Sequence, residues 1–318
     1  MKKRLYLYLL FIVLLVMSIF VGVSDIKIQD IVSLNKEAWF LLWTSRIPRT
    51  LAIILTAVGL SISGLILQTI SKNKFISPSV VGVTDSAQLG ILLAYLLLGT
   101  LSLTFKLVFA FGFAVLGSFI FITILNKIKF KNEIYVPLIG MMFGSIVAAI
   151  VSFLAYQFNA TQFVDTIGVG SFTTKIAGNY ELLYVIVPPL ILAFIYMVQF
   201  NIIGIGEDFA KNLGVNYKRT MMIGLVIISM VSAAIFVVVG SIPFIGLVVP
   251  NLVSIYYGDN VKKNALDIAL FGSIFVLIGD ILSRMIIYPY EIPVSLTMGV
   301  IGSIIFLYLI YRRVYHAK

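Results

Sequence analysis

The chain has no cysteine and a single histidine, His316. No disulfide can form, no thiol can act as nucleophile or redox centre, and no Cys/His metal cluster can be assembled. Charge is scarce as well: Asp, Glu, Lys and Arg make up 11% of the residues, against about a quarter in a soluble domain. Motifs that carry chemistry are missing. There is no HExxH, no serine elbow, and no GxxxxGK[ST] loop to cradle ATP phosphates. His316 falls in a basic tail and reads as a solvated residue. The chain therefore reads as a non-enzyme that binds no metal and no cofactor of its own and cannot cradle ATP phosphates by itself.

Apolar side chains fill the space. They are 61% of 318 residues, with a mean hydropathy of +1.10. The apolar runs are long and continuous rather than alternating every second residue, so helices are the spanning element. The reading is an all-α integral membrane protein, one domain over residues 1–318. MKKR followed by LYLYLLFIVLLVMSIFVGV has the outline of a signal peptide. Its apolar run nevertheless matches the length of a span and lacks a small-residue cleavage site, so it reads as a first transmembrane helix.

About ten spans are expected, near 5–23, 47–70, 84–99, 104–125, 134–157, 182–200, 220–240, 244–257, 265–286 and 293–311. An even number places both termini on one side. On this topology the two faces receive sixteen and seven of the 23 basic residues. The richer face is expected to be cytoplasmic, with both termini. The formal charge of +10 then reflects membrane topology and not nucleic-acid binding. The stretches 84–99 and 244–257 are short for a bilayer, and the second holds Pro250, which suggests broken helices near a path. Gly140 and Gly144, with Gly59, Ser63, Gly64, Gly299, Gly302 and Ser303, fit close helix packing.

Few polar residues interrupt this pattern. GEDFAKNLGVNYKR, Gly206 to Arg219, lies between two apolar runs. It reads as a short helix with Glu207 and Asp208 in its first turn, a left-handed cap at Gly214, and a second helix start. Two uses fit: a docking element for a cytoplasmic partner, or an amphipathic connector. Asp280 and Arg284 stand at i and i+4, as a site near the outer mouth or as a local ion pair. Asp85 and Asp267 fit helix N-termini. Arg46, Arg49 and Arg284 fall at outer helix ends, against the positive-inside tendency. They suit an acidic docking partner or snorkelling to lipid headgroups. No acid is clearly placed at mid-membrane, which counts against an ion-coupled carrier.

Four ordered blocks resemble a known family. SRIPRTLAIILTAVGLSISGLILQTISKNKFISPSVVGV, 45–83, is similar to an R-x-P-R-T-L-A opening and the proline loop after it. GEDFAKNLGVNYKR is similar to a cytoplasmic coupling segment. GSIPFIGLVVPNLVSIYYG, 240–258, is similar to a G-x-I-x-F-[IV]-G-L-[IV]-x-P signature, and DILSRMIIYPYEIPVSLTMGVIGSIIFLYLI, 280–310, to the last two helices. The chain resembles the FecCD/vitamin-B12-type permeases of ABC importers over nearly its whole length. The resemblance implies a ten-helix subunit of type II importer architecture, in the cell membrane, that pairs with a second permease. It also implies two cytoplasmic ATPase subunits and an extracellular binding protein that delivers a ferric siderophore, of catecholate or petrobactin type, or haem or cobalamin. It implies coupling through 200–219, with Gly206, Glu207, Asp208, Ala210, Leu213 and Gly214, and docking through Arg46, Arg49 and Arg284. Asn251 and Ser254 depart from the family's P-H and nearby arginine, and TIGVGSF only loosely follows its pattern.

Overall fold

A computed structural model describes residues 2–22, 28–33, 35–99, 102–127 and 135–316. Lys27, Lys129, Lys131 and Lys318, counted in the charge sort, lie outside the described residues. The described chain is helical, in order α1 (Lys2–Phe20), α2 (Ile28–Val32), α3 (Lys36–Leu41), α4 (Ile47–Ile70), α5 (Val83–Leu98), α6 (Leu103–Lys127), α7 (Tyr135–Gln157) and α8 (Thr161–Gly168). It continues with α9 (Val187–Ile195), α10 (Met197–Ile205), α11 (Glu207–Asn212), α12 (Tyr217–Val238), α13 (Ile245–Tyr257), α14 (Val261–Met285) and α15 (Val294–His316). Among the described residues β pairing is limited to two isolated bridges, Val169 with Ser241 and Ile287 with Tyr290.

Each of the ten expected runs coincides with helix over most of its described residues, though the first ends at Phe20 and 182–200 is broken between α9 and α10. Among the described residues six helices are long and apolar enough to cross a membrane, and α9 with α10, bent by 58°, makes a seventh if counted as one span. Arg4–Phe20, α5 and α13 are shorter apolar helices, so length and composition alone do not establish ten crossings.

The inner layer is α4, α12 and α14, whose apolar windows are 72%, 67% and 61% buried, against 28% for α7 and α15. Helix α4 is the hub: it packs on α12, α13 and α14. Small residues set those distances. A Cβ on Gly64 would lie 1.9 Å from the Gly246 carbonyl, so α4 and α13 cross backbone to backbone. Gly140 of α7 seats against Val81, and Gly144 against the Asp85 carboxylate and Gly82.

Pro250 and Pro48 interrupt the helical ladder, and each freed carbonyl finds a donor. Pro250 has no N–H to give Gly246, four residues back, and the Gln68 side chain donates to that carbonyl at 3.1 Å. Pro48 likewise leaves Thr44 without its i+4 donor. The backbone N–H of Ala177 fills the place at 2.8 Å. The turn before Pro48, Leu42–Arg46, widens into a π-helix, so Lys36–Ile70 runs as one 35-residue helical segment. The sequence pattern locates that span only from residue 47. Asn251 and Ser254 acquire local roles: Asn251 donates to the Lys74 and Leu247 carbonyls at 2.7 Å each, and Ser254 bonds Asp259 and Lys74.

Candidate functional site

Polar residues gather at the two ends of α4 and α14. Each helix has about 24 residues between its ends, which separates the two groups by about 35 Å at 1.5 Å per residue.

At one end lies a buried charge cluster. The π-turn carries Arg46 to the α1 terminus, where its guanidinium donates to the Val21 carbonyl at 2.9 Å. Arg284, near the end of α14, donates to the same carbonyl at 2.6 Å, to the Ser18 carbonyl at 2.9 Å and to the Ser18 hydroxyl at 2.9 Å. Asp280 sits one turn before Arg284 and pairs with it. Its other oxygen accepts from Arg49 Nη2 at 2.8 Å and Nε at 3.3 Å. The third guanidinium nitrogen of Arg49 reaches both oxygens of Glu291, at 2.9 and 2.8 Å. Glu291 lies in the connection between α14 and α15 and accepts from the Thr173 hydroxyl at 2.8 Å. Guanidinium suits this task because its planar fork serves two carboxylates at once.

Arg46, Arg49 and Arg284 are 7%, 6% and 2% exposed, and Asp280 is fully buried. The three arginines that the sequence singled out therefore do converge, but they turn inward and do not snorkel to a lipid surface. Asp280 and Arg284 form the i, i+4 pair expected of them, with Arg49 added as a third member. Burial pushes the Glu291 carboxyl up. Arg49 beside it, helped by the Thr173 hydroxyl and Arg284, outweighs that effect and holds it below its usual range. Lys175, two residues past Thr173, is pushed down by burial. Sequence reasoning missed Glu291 and Thr173. The available signal was an acid between two spans on the face where three unexplained arginines meet.

The 168–175 segment is stitched to its neighbours. The Ser241 N–H donates to the Gly168 carbonyl at 3.2 Å, the Ser171 N–H to Val239 at 3.0 Å, and the Ser295 N–H to Gly170 at 3.1 Å. The start of α15 and the end of α12 are thus joined through one strap, which Thr173 anchors to Glu291.

At the other end, α11 forms an exposed elbow. Glu207 and Asp208 occupy its first turn, as the sequence suggests. Gly214 has φ +72°, and the Val215 N–H donates to Ala210 and the Gly214 N–H to Lys211, at 2.9 and 3.0 Å. This is the Schellman arrangement that a left-handed C′ glycine allows. Asn216 then caps α12, its side chain accepting from the Arg219 N–H at 3.0 Å. Ala210 is fully buried against the bundle, while Phe209 and Leu213 are 45% and 54% exposed. Glu207 pairs with Lys211 at 2.9 Å, and that hydrogen bond holds its carboxyl below the usual range. Gly206, at the N-cap, faces Lys72, whose ammonium reaches the Ile205 carbonyl at 3.5 Å. The elbow therefore rests on the end of α4, the same helix that carries Arg49 at its start. Asp85 is in the first turn of α5, whereas Asp267, a turn inside α14, pairs with Arg4 at 2.7 Å. Among the described residues no group of three acids or imidazoles could hold a metal.

A bundle of apolar helices with a proline-broken core, a buried charge cluster at one end and an apolar-tipped elbow at the other is a permease-type membrane architecture. The chain belongs to the FecCD transport family, whose model matches residues 10–312. It is 45% identical over 313 residues to the petrobactin import system permease protein YclN of Bacillus subtilis, covering 98% of this chain and 99% of that one. It is 38% identical to the ferric-anguibactin transport system permease protein FatD of Vibrio anguillarum, over 94% of this chain and 95% of that one. Among solved structures, a metal-chelate type ABC transporter in an inward-facing conformation superposes with a TM-score of 0.81 at 25% identity, over 98% of this chain and 100% of that one.

Proposed function

We propose that this chain is the membrane-spanning permease subunit of an ABC importer that carries a ferric siderophore, of petrobactin or related catecholate type, into the cytoplasm. The observation that carries the reading is full-length likeness to the Bacillus subtilis petrobactin permease at 45% identity. A likeness of that extent covers the helices that line any path as well as the ends that meet partners.

In this reading the α11 end faces the cytoplasm, with both termini, in line with the excess of basic residues there. Two ATPase subunits receive the elbow, Gly206 to Gly214. Phe209 and Leu213 are its contact surface and Ala210 its seat on the bundle. Glu207 and Asp208 stabilise its helix. A second permease, identical or different, completes the path, with membrane lipid around the remaining apolar faces. At the opposite end an extracellular binding protein docks through acidic side chains on Arg46, Arg49 and Arg284. ATP binding can shift the permease between states only through contacts that differ between them. The elbow and the buried cluster, at opposite ends of α4, are the places where those contacts can change.

The test is reconstitution. The tagged chain is purified in detergent with what co-purifies, placed in proteoliposomes, and assayed for ATP-dependent uptake of iron-labelled petrobactin. An ATPase that co-purifies and is lost when Glu207–Arg219 is replaced by a Gly/Ser linker is the expected result. Uptake driven by a proton or sodium gradient with ATP depleted would instead establish an ion-coupled carrier.

A further inference from the structure

The arginine cluster already contains the kind of group that a docking partner would bring. Arg49 is held from below by Asp280, which is fully buried, and from the open side by Glu291, whose side chain is 14% exposed. The Glu291 contact is end-on to one nitrogen, at 2.9 and 2.8 Å, and is shared with the exposed Thr173 hydroxyl at 2.8 Å. Any carboxylate arriving from outside meets Glu291 before it meets Arg49. Without Glu291 the single carboxylate of Asp280 would have to serve both Arg49 and Arg284 in so dry a place, so Arg49 keeps a second carboxylate until it has another.

Resting on the docking reading above, the geometry points to Glu291 as a resident competitor: an internal carboxylate that occupies Arg49 in the undocked state and is exchanged for a carboxylate of the binding protein on docking. Exchange keeps the ion pairs balanced, since one Arg49–carboxylate contact is broken for each one formed. It also frees the one group that ties the 168–175 strap to Arg49. That strap is bonded to Ser295 at the start of α15 and to Val239 and Ser241 beyond the end of α12. A partner that never enters the bundle can therefore loosen two membrane helices by displacing one side chain. Glu291 acts here as a positioning residue, through Arg49, and touches no cargo.

The experiment uses the intact permease–ATPase complex in nanodiscs and its cognate binding protein. Because the chain has no cysteine, a single Thr174→Cys carrying a short crosslinker reports docking at this face without touching any arginine. Binding affinity is then measured for wild type, Glu291→Gln and Glu181→Gln. Glu181→Gln removes a carboxylate from the same end but not from Arg49. The exchange predicts that Glu291→Gln binds on the order of tenfold tighter, the scale of one close interfacial charge pair, while Glu181→Gln stays within about twofold of wild type. Equal affinities for Glu291→Gln and wild type, or equal gains for both variants, would overturn the exchange. An absent Thr174 crosslink in wild type would overturn the docking reading itself, so the two failures separate. If Glu291→Gln lowers the yield of folded complex, Glu291→Asp serves in its place. Its charge is kept but its reach is shortened, and it should also bind more tightly than wild type, with unchanged affinity counting against exchange.

Discussion

The two polar ends of this bundle use charge in opposite ways. Around Arg49 the charges are buried or half-buried and shared, so that Asp280 serves two arginines and Arg49 serves two acids. Around α11 the single ion pair, Glu207 with Lys211, is exposed and local, and the elbow is shaped by backbone caps and a buried alanine. Desolvation makes the difference. A buried charge that loses its partner stays unpaid, whereas an exposed one turns to water. The first end should be intolerant of any change in charge balance. The second should tolerate charge changes and fail only when its shape or its apolar tip is altered.

The sharpest way to break that contrast is Asp280→Ala. It strands Arg49 and Arg284 together in a dry site, and the expected loss is about 3–5 kcal/mol, seen as a large fall in the melting temperature of the purified protein. A loss near the scale of a surface pair would show that water reaches the cluster. Next in size, Leu213→Asp should leave the melting temperature almost unchanged, because the side chain is 54% exposed. It should still abolish retention of the ATPase on affinity beads. A variant that melts early but keeps the ATPase would reverse the assignment of tip and seat. Gly214→Ala comes third. At φ +72° an added Cβ costs about 1 kcal/mol locally. The expected outcome is a folded permease whose coupled ATP hydrolysis falls more than its stability.

Much of this was legible in the sequence, for identifiable reasons. Helical spans announce themselves because a lipid-facing backbone must bond internally, and the elbow announces itself because Gly214 and the Glu207–Asp208 pair obey local rules of capping and dipole. Arg46, Arg49 and Arg284 stood out as exceptions to the charge rule. Their inward direction was not legible, because for Arg49 it depends on Asp280 and Glu291 arriving from 231 and 242 residues away, and for Arg46 and Arg284 on the end of α1. The π-turn before Pro48 was hidden for the same reason. Its freed Thr44 carbonyl is satisfied by Ala177, far along the chain. Asp280 reads locally as a partner for Arg284 alone, and only the fold reveals it as the centre of a cluster. The stretches 84–99 and 244–257 form apolar helices shorter than the spans around them, as their length in the sequence suggests.

The smallest effect sharpens the contrast through pH. Glu291 is held below the ordinary value of 4.5, chiefly by Arg49 working against burial. A carboxyl depressed in the folded state stabilises that state fully above its unfolded value, and the contribution fades as pH falls through the lower, folded value. The stability gap between wild type and Glu291→Gln should therefore be flat above about pH 4.5 and close below it, while other acids cancel in the difference. Melting temperatures taken for both proteins from about pH 7 down to about pH 3 would show this. A gap that instead opened between about pH 5 and 7 would mean that burial raises Glu291 above its ordinary value. Arg49 would then be too weakly placed to hold a resident carboxylate. The matching difference for Glu207→Gln should stay close to nothing throughout, because its pair is bathed in solvent.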